Sequence, residues 1–453
     1  MSKQRIALPQ VSRRDFLAAT ATTAAITIVP RQVLGGPRNS PPSEKLNIAC
    51  IGVGGMGKSN LRQLESENIV ALCDVDHKYA AETFKRYPKA KVCTDFRKML
   101  DKQKDIDAVV IATPDHTHAV ISMEAMRRGK HVYCQKPLTH DVYESRMLAK
   151  AARETGVTTQ MGIQGHSGEG IRLICEWIWD GAIGEVREVD AWCSLSYYPF
   201  GHAGWSSRWS RRPKEKPPVP STLDWDLWLG PAPERPYHPA YHPGVWRCWW
   251  DFGCGMMGDR GAHTLDPVFR ALKLGHPTSV EATSLGLNSD THPVASIVTY
   301  RFPARDGLPP VKLTWYEGLR PPRPIELEDG RRLGNVEGGA LFKGSKGKLM
   351  AGVYGEGARL IPESRMQDYK RPPKTIPRVK GSHEQDWARA CKDGRPAGAD
   401  FEYSGLLTEV CLLGNVARRV DARIEWDADN MKVTNLPEAN KYVRTQYRQG
   451  WSL

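Results

Sequence analysis

Residues Lys45–Asn60 read KLNIACIGVGGMGKSN. An apolar, strand-like run passes straight into Gly52-x-Gly54-x-x-Gly57, and the residues after it, GKSNLRQLES, have a helical pattern. The three glycines have different tasks in such a strand–turn–helix. The first permits a tight turn, the second lets the backbone approach a pyrophosphate, and the third lets helix and strand pack closely. The helix that follows offers unpaired N–H groups to the anion. Gly55 and Met56 complete the loop. Asp74 closes the next apolar run, IVALCDV, twenty positions after Gly54. A carboxylate there binds a ribose 2′-hydroxyl and repels a 2′-phosphate, so the stretch predicts a dinucleotide site for NAD in preference to NADP.

The pattern continues outward. Strand-like IVALCDV, KVC, IDAVVIAT, HVYCQK and VTTQMGI alternate with helix-like KYAAETFKRYP, HAVISMEAMRRG and YESRMLAKAARETG. Strands separated by helices of about three turns form βαβ units around a parallel sheet. A doubly wound α/β Rossmann domain is therefore expected over residues 45–163. From Tyr197 to Pro243 the chain is rich in proline and tryptophan, which indicates long ordered loops. Beyond it, VREVDAWCSL, SVEATSLGL, ASIVTYRF and VKLTWYEG read as strands, and SHEQDWARACKDG and YSGLLTEVCLLGNVARRV as helices. An α+β domain with an open, mostly antiparallel sheet is expected over residues 164–453.

The 453 residues carry a net charge of +13, with 40% hydrophobic and 25% charged side chains. This is ordinary globular composition. No run of basic residues interleaved with aromatics points to nucleic acid. The ten cysteines are scattered without a C-x-x-C pair, and several lie in apolar runs, so they read as buried thiols. No metal site is expected. The N-terminus, VSRRDFLAATATTAAITIVP, places Arg13 and Arg14 before an Ala/Thr-rich segment too short to span a bilayer. It resembles a twin-arginine (Tat) export signal, with a Gly/Pro/Ser linker completing residues 1–44. The expectation is export through the Tat translocon to the periplasm or cell surface.

Four clusters carry chemistry. The run ATPDHTHA places Thr113, Pro114, His116 and His118 at the carboxyl end of a strand, where ligands of open α/β sheets bind. In YCQKPLTH, Lys136 stands at the end of the neighbouring strand beside the neutral Gln135. An acid at position 135 would favour the charged ammonium, and glutamine removes that contribution. In GDRGAHTLD, Asp259 and His263 are four apart, as expected of a carboxylate that orients a histidine base on one helix face. Ten of the 14 tryptophans fall between Trp177 and Trp250. Trp246 and Trp249 are candidate sugar-stacking faces, with Arg247, His166 and Tyr241 as further pocket candidates.

Together these motifs resemble the Gfo/Idh/MocA family of NAD(P)-dependent oxidoreductases. The likeness rests on the glycine fingerprint, IATPDHTH, Lys136-Pro137 at the family's Glu-Lys-Pro position and Asp259-x-x-x-His263. It implies that Gly52, Gly54, Gly55, Met56, Gly57, Asp74, Thr113, Pro114, His116, His118 and Gln135 hold the cofactor. It further implies that Lys136 binds substrate near the nicotinamide, that His263 is the acid/base on the reacting hydroxyl, and that Asp259 partners substrate or histidine. A homo-oligomer, dimer or tetramer, is expected through the second sheet. The implied activity is oxidation of a secondary hydroxyl of a sugar, polyol or sugar derivative. Two alternatives are a redox-neutral NAD-dependent glycosidase and a non-catalytic NAD/sugar sensor.

Overall fold

The computed structural model describes residues 44–197 and 207–453. The twin-arginine segment and residues 198–206 of the long loop lie outside the described residues.

The first sheet has six parallel strands in the order β3-β2-β1-β4-β5-β6. They are β1 (Asn47–Ile51), β2 (Asn68–Cys73), β3 (Lys91–Cys93), β4 (Ala108–Ile111), β5 (His131–Gln135) and β6 (Thr159–Gly162). The intervening helices are α1 (Met56–Gln63), α2 (His77–Arg86), α3 (Phe96–Lys102), α4 (Asp115–Arg127) and α5 (Val142–Thr155). Strands β1 and β4 are buried on both faces because helices cover the sheet on each side. Local chemistry sets the helix ends. Asp76 and Asp95 cap α2 and α3, and Asp141 with Glu144 forms a capping box on α5, which stops at Gly156 in the left-handed conformation. The strand order reverses between β1 and β4. The carboxyl ends of β1, β4 and β5 therefore lie side by side at the crevice where such sheets bind ligands.

Among the described residues the second sheet has nine strands: β7 (Val186–Cys193), β8 (Ser279–Leu285), β9 (Ala295–Phe302), β10 (Val311–Glu317), β11 (Gly338–Gly344), β12 (Gly347–Ala351), β13 (Arg359–Ile361), β14 (Arg423–Asp427) and β15 (Lys432–Val433). Their order is β13-β12-β11-β7-β10-β9-β8-β14-β15. All its pairings are antiparallel except β7 with β10. Helices α6 (Glu169–Trp179) and α7 (Ala262–Ala271) pack together beside it. Two late helices, α8 (His383–Asp393) and α9 (Phe401–Val420), return to the first sheet. Trp387 of α8 is fully buried in one core cluster with Ile48, Leu72, Val110 and Tyr133. Truncating it to alanine is expected to cost about 3–5 kcal/mol. The Met161 N–H donates to the Ala399 carbonyl, which ties β6 to the same return.

All ten cysteines are free, nine of them buried and Cys93 partly exposed. Among the described residues no helix is long and apolar enough to cross a membrane.

Candidate active site

The glycine loop is closed by sterics and by one buried carboxylate. Gly52 has φ +82°, and a side chain there would meet the backbone of Ala112 and Thr113 at 2.7–2.8 Å. A Cβ on Gly57 would lie 2.0 Å from the Gly52 carbonyl oxygen, and one on Gly54 2.1 Å from the Tyr79 ring. The Asp74 carboxylate accepts from the N–H groups of Val53 (2.8 Å), Gly54 (3.2 Å) and Asp76 (3.0 Å). It thus pins the loop from below as well as marking the ribose end. Burial raises its pKa, against those three amides. The first turn of α1 has no side-chain cap, so its N–H groups remain for an anion.

A cleft of about 440 Å³ runs from this loop to the second sheet. Gly52, Gly54, Gly55, Met56, Asp74, Thr113, Pro114, His118, Gln135, Lys136, Trp246, Arg247 and His263 all line it. Gly57 supports the loop from behind. The described part of the Pro/Trp segment, residues 222–242, roofs the ribose end. Asp76 bridges to Leu223, the Asp224 N–H donates to the Val75 carbonyl, and His242 Nε2 lies 2.9 Å from Asp76 Oδ2. Trp451, near the C-terminus, also lines the cleft and lies 4.8 Å from the Arg97 guanidinium.

At the far end Lys136 Nζ donates to Asp259 Oδ1, and the Tyr197 hydroxyl donates to Asp259 Oδ2. The expected Asp259–His263 pair is not made. Residues Met257–Gly261 form a π-helical turn ahead of α7, which breaks the four-residue phase and turns Asp259 towards the lysine. His263 is left buried with an unpartnered Nδ1, its ring edge-on to Tyr354 at 4.7 Å. Burial, then Lys136, Arg260 and His383, push its pKa well below the usual histidine value, so it is neutral near pH 7 and able to take a proton. Burial, then the Arg247 and Arg260 guanidiniums, lower the Lys136 ammonium. Asp115 and the direct Asp259 contact oppose them.

Gln135 faces away from this ammonium. Successive residues leaving a strand point to opposite faces. Its Nε2 donates to Asn60 Oδ1 (3.0 Å), and Asn60 Nδ2 donates to Glu384 Oε1 (2.8 Å) on α8. The counter-ion that the neutral Gln135 does not provide comes from Asp259, 123 residues away in sequence. His118 sits between two carbonyls, Pro137 (Nδ1, 2.8 Å) and Thr113 (Nε2, 2.9 Å). Burial disfavours its protonation, but Cys134, Asp115 and the Pro137 carbonyl outweigh it and raise the pKa to about 9. As an imidazolium it donates to both carbonyls and ties the end of β4 to the Lys136-Pro137 turn.

Four expected residues lie elsewhere. His116 is buried against Trp228 and Phe252, with its ring nitrogens on their carbonyls, because the start of α4 turns it beneath the roof. His166 pairs with Asp266 (2.9 Å) in a buried cluster with Arg270 and Tyr403. Tyr241 and Trp249 pack on each other at 4.9 Å inside the roof, where the Trp249 indole N–H donates to Ala240. Apolar bulk made them core, not lining. The sequence reading passed over Asp115, Gln164, Tyr197, Arg260 and Tyr354. Asp115 stands within ATPDHTHA and Arg260 within GDRGAHTLD, so motif adjacency could have flagged both. Tyr197 and Tyr354 carry no local signal.

The residues fit a dinucleotide: a glycine cradle in which backbone leaves no room for a side chain at Gly52 or Gly57, uncapped helix N–H groups, and a buried carboxylate at the ribose end. The comparisons agree. A family model described as "Oxidoreductase family, NAD-binding Rossmann fold" matches residues 46–163, and its partner, "Oxidoreductase family, C-terminal alpha/beta domain", matches 200–308. Levoglucosan dehydrogenase of Pseudarthrobacter phenanthrenivorans is 29% identical over 156 residues, 32% of this chain and 39% of that protein. A glycosyl hydrolase family 109 protein of Shewanella sp. (strain W3-18-1) is 28% identical over 209 residues, 40% of this chain and 45% of that one. The chain thus matches less than half the length of these curated relatives. The WlbA dehydrogenase of Bordetella pertussis, solved with NADH and UDP-GlcNAcA, superposes with a TM-score of 0.60 at 17% identity, over 85% of this chain and all of that one. At that identity it speaks for the fold.

Proposed function

The chain belongs to the Gfo/Idh/MocA oxidoreductase family, and from that premise we propose that it is an NAD-dependent oxidoreductase acting on a secondary hydroxyl of a sugar, polyol or sugar derivative. The observation that carries this reading is the convergence of Lys136, Asp259 and the unpartnered, neutral His263 at one end of a cleft whose other end is the glycine cradle. A bound nicotinamide would supply the two-electron chemistry. Gly52, Gly54, Gly55 and Met56 would hold its pyrophosphate through backbone groups, and Asp74 would favour NAD over NADP.

The protein's own residues manage the proton and the developing charge. His263 accepts the hydroxyl proton, since burial and neighbouring cations keep its ring neutral. Lys136 places a positive charge on the substrate oxygen as that proton leaves. Asp259 fixes the ammonium, and Tyr197 fixes Asp259. Reduction of added NAD by a panel of sugars and polyols, followed at 340 nm, tests the proposal. A Lys136→Met or His263→Asn variant that retained full turnover would refute these roles.

A second reading is favoured by the likeness to a family 109 glycosyl hydrolase and by the roofed ribose end. In it the same residues serve a redox-neutral glycosidase: a hydride would pass to bound NAD and back, transient oxidation would let the aglycone be eliminated, and water would add in its place before the sugar is reduced again. Aglycone release from aryl glycosides without added NAD and without net NADH separates the two. The twin-arginine segment supports export to the periplasm or cell surface with cofactor already bound, and the second sheet is a candidate oligomer surface. Fractionation of the host cell and light scattering, respectively, check these.

A further inference from the structure

Behind the catalytic end of the cleft lies a second, open groove of about 520 Å³, lined by Gly330, Arg332, Gly334, Val336, Glu337 and Tyr354. Its volume falls in the range of small-molecule sites. Two contacts join it to the reacting centre. Tyr354 lines both spaces, with its ring 4.7 Å from that of His263. Arg260 of the cleft meets Glu337 of the groove at 2.9 Å, Nε to Oε2, but without hydrogen-bonding alignment. This ion pair, with Arg260 buried, spans the junction between the two spaces.

The rim is built, not slack. Glu356 accepts from the Tyr354 N–H (2.8 Å) and from Asn335 Nδ2 (2.5 Å), while Asn335 Oδ1 accepts from the N–H groups of Glu337 and Gly338 (2.8 Å each). These bonds hold Tyr354 and Val336 outward, 37% and 63% exposed. At Gly334, φ +67°, an added Cβ would lie 2.4 Å from the Gly338 carbonyl oxygen, which keeps the floor bare. A partly exposed aromatic ring flanked by a guanidinium and a carboxylate is suited to the C–H face and edge hydroxyls of a sugar ring.

We propose that this groove is a subsite for a second carbohydrate ring, so that the substrate is a disaccharide or longer glycoside whose reacting ring sits at His263. The inference rests on the sugar-directed reading above. Tyr354 is the wall shared by the two rings, and Arg332 and Val336 contact only the second.

The test compares free sugars with matched disaccharides: glucose with cellobiose, galactose with lactose, N-acetylglucosamine with its β-1,4 dimer. Binding to the NAD-loaded protein is measured by calorimetry, alongside turnover, for the wild type, Val336→Asp and Arg332→Ala. The expected result is at least tenfold tighter binding of one disaccharide than of its monosaccharide. Val336→Asp should erase that ratio and leave monosaccharide binding unchanged. Sugar binding with no disaccharide preference, or a preference untouched by both variants, overturns the groove but leaves the sugar reading standing. No binding of any sugar overturns both. Calorimetry does not depend on turnover, so an inactive preparation still decides the matter.

Discussion

Gln135→Glu changes one atom at a position where the family resemblance leads one to expect glutamate. In the structure Gln135 heads a directional chain, Gln135 Nε2 to Asn60 Oδ1 and Asn60 Nδ2 to Glu384 Oε1, on which Tyr133 also converges. All four side chains are buried. Glu384, as a carboxylate, only accepts, so Asn60 must turn its amide nitrogen to Glu384 and its oxygen to position 135. A glutamate at 135 puts acceptor against acceptor. If ionised, it loses one hydrogen bond and leaves buried polar groups unsatisfied, roughly 1–3 kcal/mol or more for a charge. If it protonates to restore the donor, the cost at pH 7 is about 3.7 kcal/mol, 1.36 for each pH unit above a glutamate pKa near 4.3. The expected destabilisation at pH 7 is therefore about 2–4 kcal/mol. It should shrink towards pH 4–5, because a folded pKa raised above the unfolded value costs stability only above the unfolded pKa. Parallel urea titrations of both proteins at pH 5 and pH 7.5 measure it. Equal stability at both values, or a variant that gains on the wild type at higher pH, would refute the donor-to-acceptor chain.

The raised pKa of His118, about 9, makes a second pH-dependent contribution. The folded state holds that proton more tightly, so the stabilisation is fully present below pH 6.5 and is lost as pH rises through about 9. The difference in melting temperature between wild type and His118→Gln should narrow over that window, and a constant difference would sink the imidazolium clamp. His263→Asn should lower kcat by at least about 10²-fold with cofactor content unchanged, and the acid limb of wild-type kcat/KM should lie below the ordinary histidine range. His242→Ala opens the roof at Asp76 and should speed exchange of bound NAD, read by chasing with labelled NAD; an unchanged exchange rate would contradict the roof. Gly54→Val should abolish cofactor binding, because its side chain would collide with the Tyr79 ring. Retained NAD would contradict the cradle.

Much of the site was readable from local sequence because its first requirements are local. A glycine that must adopt φ +82° or admit a backbone 2.0 Å from where its Cβ would be leaves its mark at its own position. Strand–helix alternation places Gly52, Thr113 and Lys136 on one sheet edge before any tertiary contact is known. Aromatic composition was a poorer guide. Trp246 lines the cleft, but Trp249, three residues on, is fully buried, and a tryptophan's identity does not reveal which face of an irregular loop it occupies.

The sequence alone thus determined the Rossmann frame, the dinucleotide cradle and the cation beside it, since periodicity and backbone permissiveness are written residue by residue. It could not determine the cation's partner. The four-residue spacing of Asp259 and His263 presumes an α-helix, and the π turn at Met257–Gly261 changes the phase. Asp259 therefore meets Lys136 and Tyr197, which come from a different strand end and a different loop. The same holds for Gln135, whose role depends on a late helix, His383–Asp393, returning Glu384 to the first sheet. Such pairings are set by packing across long loops, where no period links the partners, and only the folded chain brings them together.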